Sequence, residues 1–231
     1  MVKKIVINKN LRGKDEQIAD EIRTALALHH VLAVNLISSP GSGKTTLLEK
    51  VLPILAKELK LAVIEADAAT RNDADRLEAA GLRVEMISTN ITGCHISTAA
   101  ACKAFKTLNQ MPGLVSLDLV VIENVGNLLC PAGVDLGEDA KIAMVSVAEG
   151  EDKPLKYPLL FQNAQLALIN KIDAAEALGV DIELLKKNIT SVNPNIKIIS
   201  LSARTGENTE SFISWIREKV EAKKKSGQSL Q

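Results

Sequence analysis

Short apolar runs alternate with amphipathic stretches along the whole chain of 231 residues. Several of the runs are apolar almost throughout, as strands that are covered on both faces must be. The predicted strands are 31–38, 61–66, 82–88, 117–123, 141–147, 166–170 and 196–202. Regular alternation of such strands with helical patterns is typical of repeated βαβ units, so the pattern predicts a mainly parallel sheet.

The amphipathic stretches predict helices over 14–29, 45–59, 73–80, 96–109, 181–190 and 208–224. No internal repeat is visible, and no linker rich in proline, glycine or serine divides the chain. We therefore expect one α/β domain in which a mostly parallel sheet of about seven strands is flanked by helices. The expected parts are a helical arm over 1–30, this domain over 31–225 and a disordered tail over 226–231.

Composition narrows the range of partners. Lysine plus arginine equals aspartate plus glutamate at 28 each, so no net field attracts nucleic acid or an anionic membrane. Aromatic residues make up 2% of the chain, too few for the stacking platforms that bind single-stranded nucleic acid. The sequence shows neither an apolar signal segment nor a run of ~20 apolar residues. We expect no nucleic-acid or membrane partner and a cytoplasmic location.

The stretch "SSPGSGKTTLL" (38–48) follows the first predicted strand and opens a helix, which is the setting of a phosphate-binding loop. Its glycines allow a tight turn whose N–H groups point inward, and the helix start adds partial positive charge. Lys44 would reach the β and γ phosphates, and the Thr45 hydroxyl would ligate Mg²⁺. The strict pattern has glycine where Ser38 stands. The predicted nucleotide-binding residues are Gly41, Ser42, Gly43, Lys44, Thr45 and Thr46.

Two later strand ends indicate which base is bound. In "LALINKID" (166–173), Asp173 stands two residues after Lys171 and can accept the paired N1–H and N2–H₂ donors of guanine, an edge that adenine lacks. Asn170 would tie this loop to the phosphate loop, and Lys171 would lie along the base. The stretch "SARTGE" (202–207) resembles the loop that meets guanine O6 in GTPases. Its predicted contacts are Ser202, Ala203 and Arg204, and GTP is favoured over ATP.

Carboxylates mark two segments that resemble switches. Asp67 ends a strand, and Asp73 and Asp75 follow in "TRNDADRL", near the expected position of Mg²⁺ or the attacking water. Either of the latter two could instead be a helix cap or a first-turn anion. In "IENVGN" (122–127), Glu123 and Gly126 occupy the positions of a D-x-x-G element. The predicted Mg²⁺ ligands are Thr45, Asp67 and Glu123, and the predicted catalytic residues are Lys44, Asp67, Glu123 and Gly126.

Cys94 and His95 are adjacent in "ITGCHIST" (91–98), and the chain has three cysteines in all. The odd count in an apparently cytosolic chain argues against a disulfide framework. By itself the pair is open between a metal site, a nucleophile pair and ordinary residues at a helix start. Both could ligate one ion where the backbone is irregular, and a helix start favours the Cys94 thiolate. Cys102, in "STAAACKAF", is interpreted as a core residue.

With these elements in order, the sequence resembles HypB, the GTPase family of NiFe-hydrogenase maturation, within the dimerising P-loop GTPases that also include UreG. The resemblance spans nearly the whole chain. Two of its motifs, "ENVGNLLCP" and "EGEDKPLKYP", are not general GTPase motifs. The matching stretches are "NLISSPGSGKTTLLE" (35–49), "GCHI" (93–96), "IENVGNLLCP" (122–131), "DLGE" (135–138), "EGEDKPLKYP" (149–158), "NKID" (170–173) and "SARTGE" (202–207).

The resemblance implies slow GTP hydrolysis, a GTP-promoted homodimer, association with a HypA-like zinc and nickel protein, and nickel delivery to the hydrogenase large subunit. It also implies that Cys94, His95 and Cys130 bind Zn²⁺ or Ni²⁺, and that Lys153 pairs with a switch carboxylate, Asp73 or Asp75, when GTP is bound. Two alternatives stay open: nickel delivery to another enzyme, of the urease type, and a GTP-dependent dimerisation module with structural zinc.

Some features depart from that family. With three histidines in all, the chain offers no histidine-rich tract for nickel storage and no tight N-terminal nickel site. Ile91 replaces a glycine that is usual before the Cys–His pair, and Ser97 replaces an acidic residue after it. Any nickel handling must therefore depend on the GTPase (G) domain, residues 31–225, and on partners.

Overall fold

The computed structural model describes residues 9–67, 70–89, 93–110 and 117–228. Seven strands form one sheet in the order β3-β2-β4-β1-β5-β6-β7, and every neighbouring pair is parallel. The predicted α/β architecture with seven strands is therefore confirmed. The strands are β1 Leu32–Ser38, β2 Leu61–Asp67, β3 Val84–Ser88, β4 Leu119–Glu123, β5 Ala140–Ser146, β6 Leu166–Asn170 and β7 Lys197–Ser200.

Each predicted helix is present with ends that differ by a few residues. Three short helices, α5 to α7, lie where no helix is predicted, because four to six residues are too few to display a helical period. The helices are α1 Lys9–Leu28, α2 Lys44–Leu55, α3 Asn72–Ala79, α4 Thr98–Gln110, α5 Lys153–Lys156, α6 Pro158–Asn163, α7 Ala175–Leu178, α8 Ile182–Val192 and α9 Thr209–Gln228. Short 3₁₀ turns lie at Pro131–Gly133, Val147–Glu149 and Ile172–Ala174.

Both faces of the sheet are covered, and β1 shows how alternation divides them. Leu32, Val34 and Leu36 face a core that includes residues of α2, α3 and α9. Ala33 packs on the opposite face with α1 and α4, and Ile37 packs there with α6 and α8. Strands buried on both faces explain why their sequences are nearly continuous apolar runs. No helix among the described residues is long and apolar enough to span a bilayer.

Helices α1 and α9, the first and the last that the structure describes, pack on this domain. Ile22 and Leu26 of α1 are buried beside α4. Gly137, at φ +77°, lies so close to α1 that a Cβ there would be 2.7 Å from the Ala19 carbonyl oxygen. At the other end, α9 continues through 226–228, three residues of the predicted disordered tail. Ion pairs from Lys223 to Asp139 and from Lys224 to Asp118 hold its last turns. Residues 1–8 and 229–231 lie outside the described ranges.

Candidate functional site

The phosphate loop joins β1 to α2 through a turn that requires glycine. Gly41 and Gly43 have φ of +73° and +98°, in the left-handed region that side chains disfavour. A Cβ on Gly43 would lie 2.6 Å from Asn170 Nδ2. Glycine therefore allows both the turn itself and the approach of the β6 loop.

Ser38, which stands where the strict pattern has glycine, has a defined part in the loop. It is fully buried at the end of β1, and its Oγ accepts a hydrogen bond from Lys44 Nζ at 3.2 Å. Burial lowers the pKa of Lys44, while nearby carboxylates, Glu123 first among them, act in the opposite direction. The lysine is thus held over the loop by a hydroxyl that the strict motif lacks.

Glu149 anchors the phosphate loop and is not among the predicted site residues. Its carboxylate accepts hydrogen bonds from Ser39 Oγ at 2.5 Å and Ser42 Oγ at 2.8 Å. The Ser146 N–H donates to it at 2.9 Å, and Lys153 Nζ is 3.3 Å away. Its location within "EGEDKPLKYP" was a signal of importance, but nothing local in the sequence points to partners more than 100 residues away.

On the predicted guanine side, the loops after β6 and β7 are hydrogen-bonded to each other and to the phosphate loop. Asn170, which is buried, donates to the Ser42 carbonyl oxygen at 2.7 Å and accepts from the Ala203 N–H at 2.9 Å. Ser202 Oγ donates to Asp173 Oδ1 at 2.6 Å, and Lys171 Nζ donates to the Gly41 carbonyl oxygen at 2.7 Å. These hydrogen bonds between protein groups hold the conformation of the two loops.

The second of these loops is also supported from outside. Lys50 of α2 donates from Nζ to the Arg204 carbonyl oxygen at 2.8 Å. The Ala203 N–H is already bonded to Asn170, so a contact with guanine O6 would have to share that donor or use a neighbouring one. The predicted contacts to the base stay predictions, while their side chains and loops are brought together as expected.

A row of carboxylates lies at the carboxyl ends of β2 and β4, on the opposite side of β1 from the guanine loops. Glu65 and Asp67 share one face of β2, because residues two apart on a strand point the same way. Glu65 lies opposite Glu123 in the β2–β4 register, and Thr45 Oγ1 donates to Glu123 Oε1 at 2.7 Å. The Oε2 atoms of Glu65 and Glu123 are buried and have no hydrogen-bond partner within the described residues. Glu65 is not among the predicted site residues, although the alternation in "LAVIEAD" places it on the same strand face as Asp67.

Both buried carboxyls are shifted toward the protonated form. Burial, and then the charge of Glu123, raises the pKa of Glu65 to about 8. Burial raises the pKa of Glu123 to about 7, although the Thr45 hydrogen bond and Lys44 act against the shift. Carboxylate oxygens without partners are the ligands that Mg²⁺ prefers, so this end of the site fits a divalent cation.

The two predicted switch aspartates, Asp73 and Asp75, both lie in the first turn of α3 but bind different partners. Asp73 Oδ1 accepts from Arg76 Nη1 at 2.9 Å, and Asp75 Oδ1 accepts from Arg71 Nε at 3.2 Å. Neither caps the helix, whose cap residue is Arg71, so both are first-turn anions. Lys153 lies beside Glu149, not beside either aspartate. Its pairing with a switch carboxylate was expected with GTP bound and stays a prediction.

The phosphate loop and these carboxylates enclose a cavity of about 520 Å³. Gly126 forms part of its wall and approaches Pro40 so closely that a Cβ would lie 2.9 Å from the proline Cγ. Arg76, which is also not among the predicted site residues, lines the cavity and donates to Thr46 Oγ1 at 3.2 Å and to Glu49. Asp73 lines this cavity and Asp75 does not.

The cysteine and histidine side chains converge as predicted for a metal site. One ligand atom each from Cys94, His95 and Cys130 lie within 4.8 Å of one another, and Cys94 Sγ is 3.4 Å from His95 Nδ1. The segment 93–97 is irregular, which lets adjacent residues face the same point, and Ser97 Oγ caps α4 by accepting from the Ala100 N–H. Thiol and imidazole ligands in this number fit Zn²⁺ or Ni²⁺.

Two details of this site differ from expectation or were missed. A hydrogen bond with the Cys130 thiol, and then desolvation, raises the pKa of Cys94, against the direction expected from the helix start. A thiolate at Cys94 stays a prediction. Asn127 links the two contributing loops: Nδ2 donates to the Cys94 carbonyl oxygen at 3.3 Å, and Oδ1 accepts from the Leu129 N–H at 2.8 Å. Cys102 packs against the core as predicted, and Ile91 lies outside the described residues.

Comparison with known proteins gives a consistent family. Residues 32–200 match the family described as CobW/HypB/UreG, nucleotide-binding domain. The hydrogenase maturation factor HypB of Azotobacter chroococcum is 41% identical, over 98% of this chain and 75% of that protein. The hydrogenase/urease maturation factor HypB of Helicobacter pylori is 34% identical, over 94% of this chain and 88% of that protein.

A solved structure agrees in fold and in sequence. The crystal structure of HypB from Helicobacter pylori in complex with nickel superposes with a TM-score of 0.85 at 35% identity, covering 90% of this chain and 96% of that one. The sheet and phosphate loop of the present chain, together with its similarity to HypB proteins over nearly its whole length, all indicate the same family. The chain belongs to the HypB family of hydrogenase maturation factors and carries the nucleotide-binding domain of the CobW/HypB/UreG P-loop proteins.

Proposed function

We propose that the chain is a slow GTPase that binds GTP with Mg²⁺, holds Ni²⁺ or Zn²⁺ on Cys94, His95 and Cys130, and assists nickel insertion into NiFe-hydrogenase. The observation that carries this proposal is that a nucleotide-type site and a cysteine–histidine cluster both lie on loops at the carboxyl ends of the strands of one parallel sheet. A guanine-type loop is hydrogen-bonded to the phosphate loop, and the cysteine–histidine cluster includes Cys130, whose loop after β4 also lines the phosphate cavity.

Specificity for guanine is proposed from the donor and acceptor pattern. Asp173 presents a carboxylate that Ser202 orients, and a carboxylate can accept both N–H donors of the guanine edge. Adenine offers no such paired donors, so the same carboxylate would be left facing an acceptor. Gly41, Ser42, Gly43, Lys44, Thr45 and Thr46 would hold the phosphates, and Asn170, Lys171, Ser202, Ala203 and Arg204 would complete the base site.

In the proposed reaction, water attacks the γ-phosphorus of GTP and the bond to the β-phosphate oxygen breaks, which gives GDP and phosphate. Lys44 would bind the transferring group, Asp67 would orient the water, and the Gly126 N–H would meet the γ-phosphate. Mg²⁺, bound by Thr45, Asp67 and Glu123, would supply positive charge against the phosphates. Arg76 is engaged by Glu49 and Asp73, which leaves no unengaged arginine among the described residues of the cavity wall and supports slow turnover.

Coupling between nucleotide and metal is proposed through the loop after β4. Gly126, which lines the phosphate cavity, and Cys130 belong to one short loop, and Asn127 connects that loop to Cys94. A change at the γ-phosphate would therefore move one metal ligand relative to the other two.

Exposed leucines beside Cys130 support a homodimer on this face: Leu129 is 62% exposed, and Leu159 lies next to Gly133. We further propose a HypA-like protein and the hydrogenase large subunit as partners.

Equilibrium metal binding tests the proposal. Ni²⁺ and Zn²⁺ affinity and stoichiometry would be measured with GDP and with a non-hydrolysable GTP analogue. We expect the two states to differ, and we expect Cys130→Ser to abolish that difference while the matched Cys102→Ser retains it. Equal affinity and stoichiometry in both nucleotide states would refute the coupling.

The choice of acceptor is a separate question, because a similar protein from Helicobacter pylori is described as a hydrogenase and urease factor. Transfer of radioactive nickel to purified apo-hydrogenase and apo-urease, with and without GTP, separates the candidates. GTP-dependent transfer to hydrogenase is the expected result. Transfer to urease alone would favour the second acceptor, and no transfer to either would leave a dimerisation module with structural zinc.

A further inference from the structure

We propose that Asn35 and Glu138 are positioning residues for the loop after β4, which carries Cys130. A buried chain of hydrogen bonds runs from Glu138 through Asn35 to Asn124, the first residue of that loop. The proposal rests on the proposed function, because this loop is the part that is expected to respond to the γ-phosphate. It also gives a role to "DLGE" (135–138), which neither the nucleotide site nor the metal cluster uses.

The chain runs across β1, from the loop before β5 to the loop after β4, and its hydrogen bonds all point the same way. Asn35 Nδ2 donates to Glu138 Oε1 at 3.1 Å, and Asn124 Nδ2 donates to Asn35 Oδ1 at 3.1 Å. Asn124 Oδ1 in turn accepts from the Val125 N–H at 3.0 Å. Hydrogen bonds in such a chain polarise one another. The Glu138 carboxylate therefore fixes the orientation of both amides and, through them, of the Val125 N–H.

The chain occupies a place that apolar side chains could fill. Asn35 is fully buried on the face of β1 that also carries Ala33 and Ile37, which belong to two different apolar clusters. The Glu138 side chain is 2% exposed, and Lys141 Nζ lies 2.7 Å from its Oε1. A buried ion pair adds little net stability compared with apolar side chains of the same size, whereas a fully bonded polar network specifies one conformation. We therefore assign the chain to the geometry of the loop.

The loop that carries Glu138 also supports the other segment of the metal cluster. The Asp135 carbonyl oxygen accepts from Thr98 Oγ1 at 3.0 Å, and Thr98 begins α4 shortly after His95. The Asp135 carboxylate accepts from the Gly137 N–H at 2.9 Å, which closes the turn between them. Both segments that bring the cysteine–histidine cluster together are therefore hydrogen-bonded to this one loop.

The location of the chain predicts which measurements it affects. Neither Asn35 nor Glu138 is among the described residues of the cavity wall, so their loss should leave GDP affinity near the wild-type value. Asn124 and Gly126 do line the cavity. Loss of the chain should therefore weaken the proposed contact of Gly126 with the γ-phosphate, which GTP has and GDP lacks.

The test uses the full-length protein and two variants, Asn35→Leu and Glu138→Met, which remove the polar groups and keep the approximate size of each side chain. Hydrogen–deuterium exchange of residues 124–130 without nucleotide should be at least ~5-fold faster in each variant, because a buried hydrogen-bond chain is lost. The affinity of a non-hydrolysable GTP analogue relative to GDP should fall by ~5–10-fold, with GDP affinity within ~2-fold of wild type. The double variant should lose no more than Asn35→Leu alone, because both changes break one chain.

Asn193→Ala is the matched control. It removes amide hydrogen bonds to the Phe161 and Ala164 carbonyl oxygens, beside the amino end of β6. It should lower stability without changing either the exchange of 124–130 or the preference for the GTP analogue. An equal effect in this control would show that general stability, and not the chain, determines both measurements, and would overturn the proposal.

Other outcomes separate this inference from the proposed function. If wild type prefers the GTP analogue and both single variants do so equally, the proposed function stands and the positioning role is wrong, even with faster exchange. Losses that multiply in the double variant would also overturn it. If wild type does not distinguish the two nucleotides, the proposed function fails, and exchange of 124–130 alone decides for or against the chain.

Discussion

The two ends of the nucleotide cavity are built in opposite ways. On the guanine side, Asn170, Asp173 and Ser202 are joined to each other's loops and to the phosphate loop by hydrogen bonds of 2.6–2.9 Å. On the carboxylate side, Glu65 and Glu123 each keep a buried oxygen that has no hydrogen-bond partner in the described part of the chain. Both sets lie at the carboxyl edge of the same parallel sheet, so the contrast is one of chemistry and not of position.

The contrast indicates which part of the site is ready before ligands arrive. Satisfied polar groups fix a conformation, so the base site is preorganised and needs little ordering when guanine binds. Buried carboxylate oxygens without a partner cost free energy, and a cation that binds them lowers that cost. We infer that selectivity resides at the hydrogen-bonded end, and that cation dependence and switching reside at the other.

The largest effect should come from Asp173→Asn. The amide keeps the size of the side chain but places an N–H₂ donor where guanine also donates, so GDP affinity should fall by roughly 10²–10⁴-fold. Fluorescence titration with a labelled GDP measures the loss. Asp20→Asn, on the exposed surface of α1, is the matched control and should bind normally. Full affinity in Asp173→Asn would place the base elsewhere.

Asn170→Ala should be the next largest effect, this time on stability. The change removes two buried hydrogen bonds and leaves the Ala203 N–H and the Ser42 carbonyl unsatisfied, which should cost about 2–4 kcal/mol. Urea unfolding measures it. Asn188→Ala, which loses one partly buried bond to the Glu151 carbonyl, should cost about 1 kcal/mol. Equal losses in the two variants would mean that the guanine side is not specially ordered.

Glu65→Gln should show the opposite sign. The folded pKa of Glu65, about 8, lies above the ordinary value of 4.5, so its contribution is fully present below pH 4.5 and is lost as pH rises through 8. In EDTA, the variant should therefore match wild type near pH 5 and exceed its Tm by ~2–4 °C at pH 8.5, about 1 kcal/mol for a domain of this size. Glu221→Gln, exposed on α9, should show no such trend. A variant less stable than wild type at pH 8.5 would contradict the assignment.

Lys50→Met should give the smallest effect. It removes one exposed hydrogen bond to the Arg204 carbonyl, worth about 0.5–1 kcal/mol, so GDP affinity should fall by ~2–5-fold. Lys57→Met, exposed just beyond α2, serves as the control. A loss of GDP affinity as large as that of Asp173→Asn would show that the loop after β7 depends on Lys50 to keep its conformation.

The fold could be predicted because each strand is long enough to show its apolar pattern. The phosphate and guanine residues could be predicted because their spacing is local, as in "GSGKTT" and "NKID". Glu149, Arg76 and Asn127 could not, since their partners lie on other elements and no spacing connects them. Glu65 was within reach, because it shares a strand face with Asp67.

The most direct test of the account compares GDP with ADP, and GTP with and without Mg²⁺, on one protein. If selectivity resides in the hydrogen-bonded loops, the ratio of the GDP and ADP affinities should stay at ~10² or more in both Mg²⁺ and EDTA, while GTP affinity falls at least ~10-fold in EDTA. A selectivity ratio that collapses in EDTA, or a GTP affinity that does not respond to Mg²⁺, would contradict it.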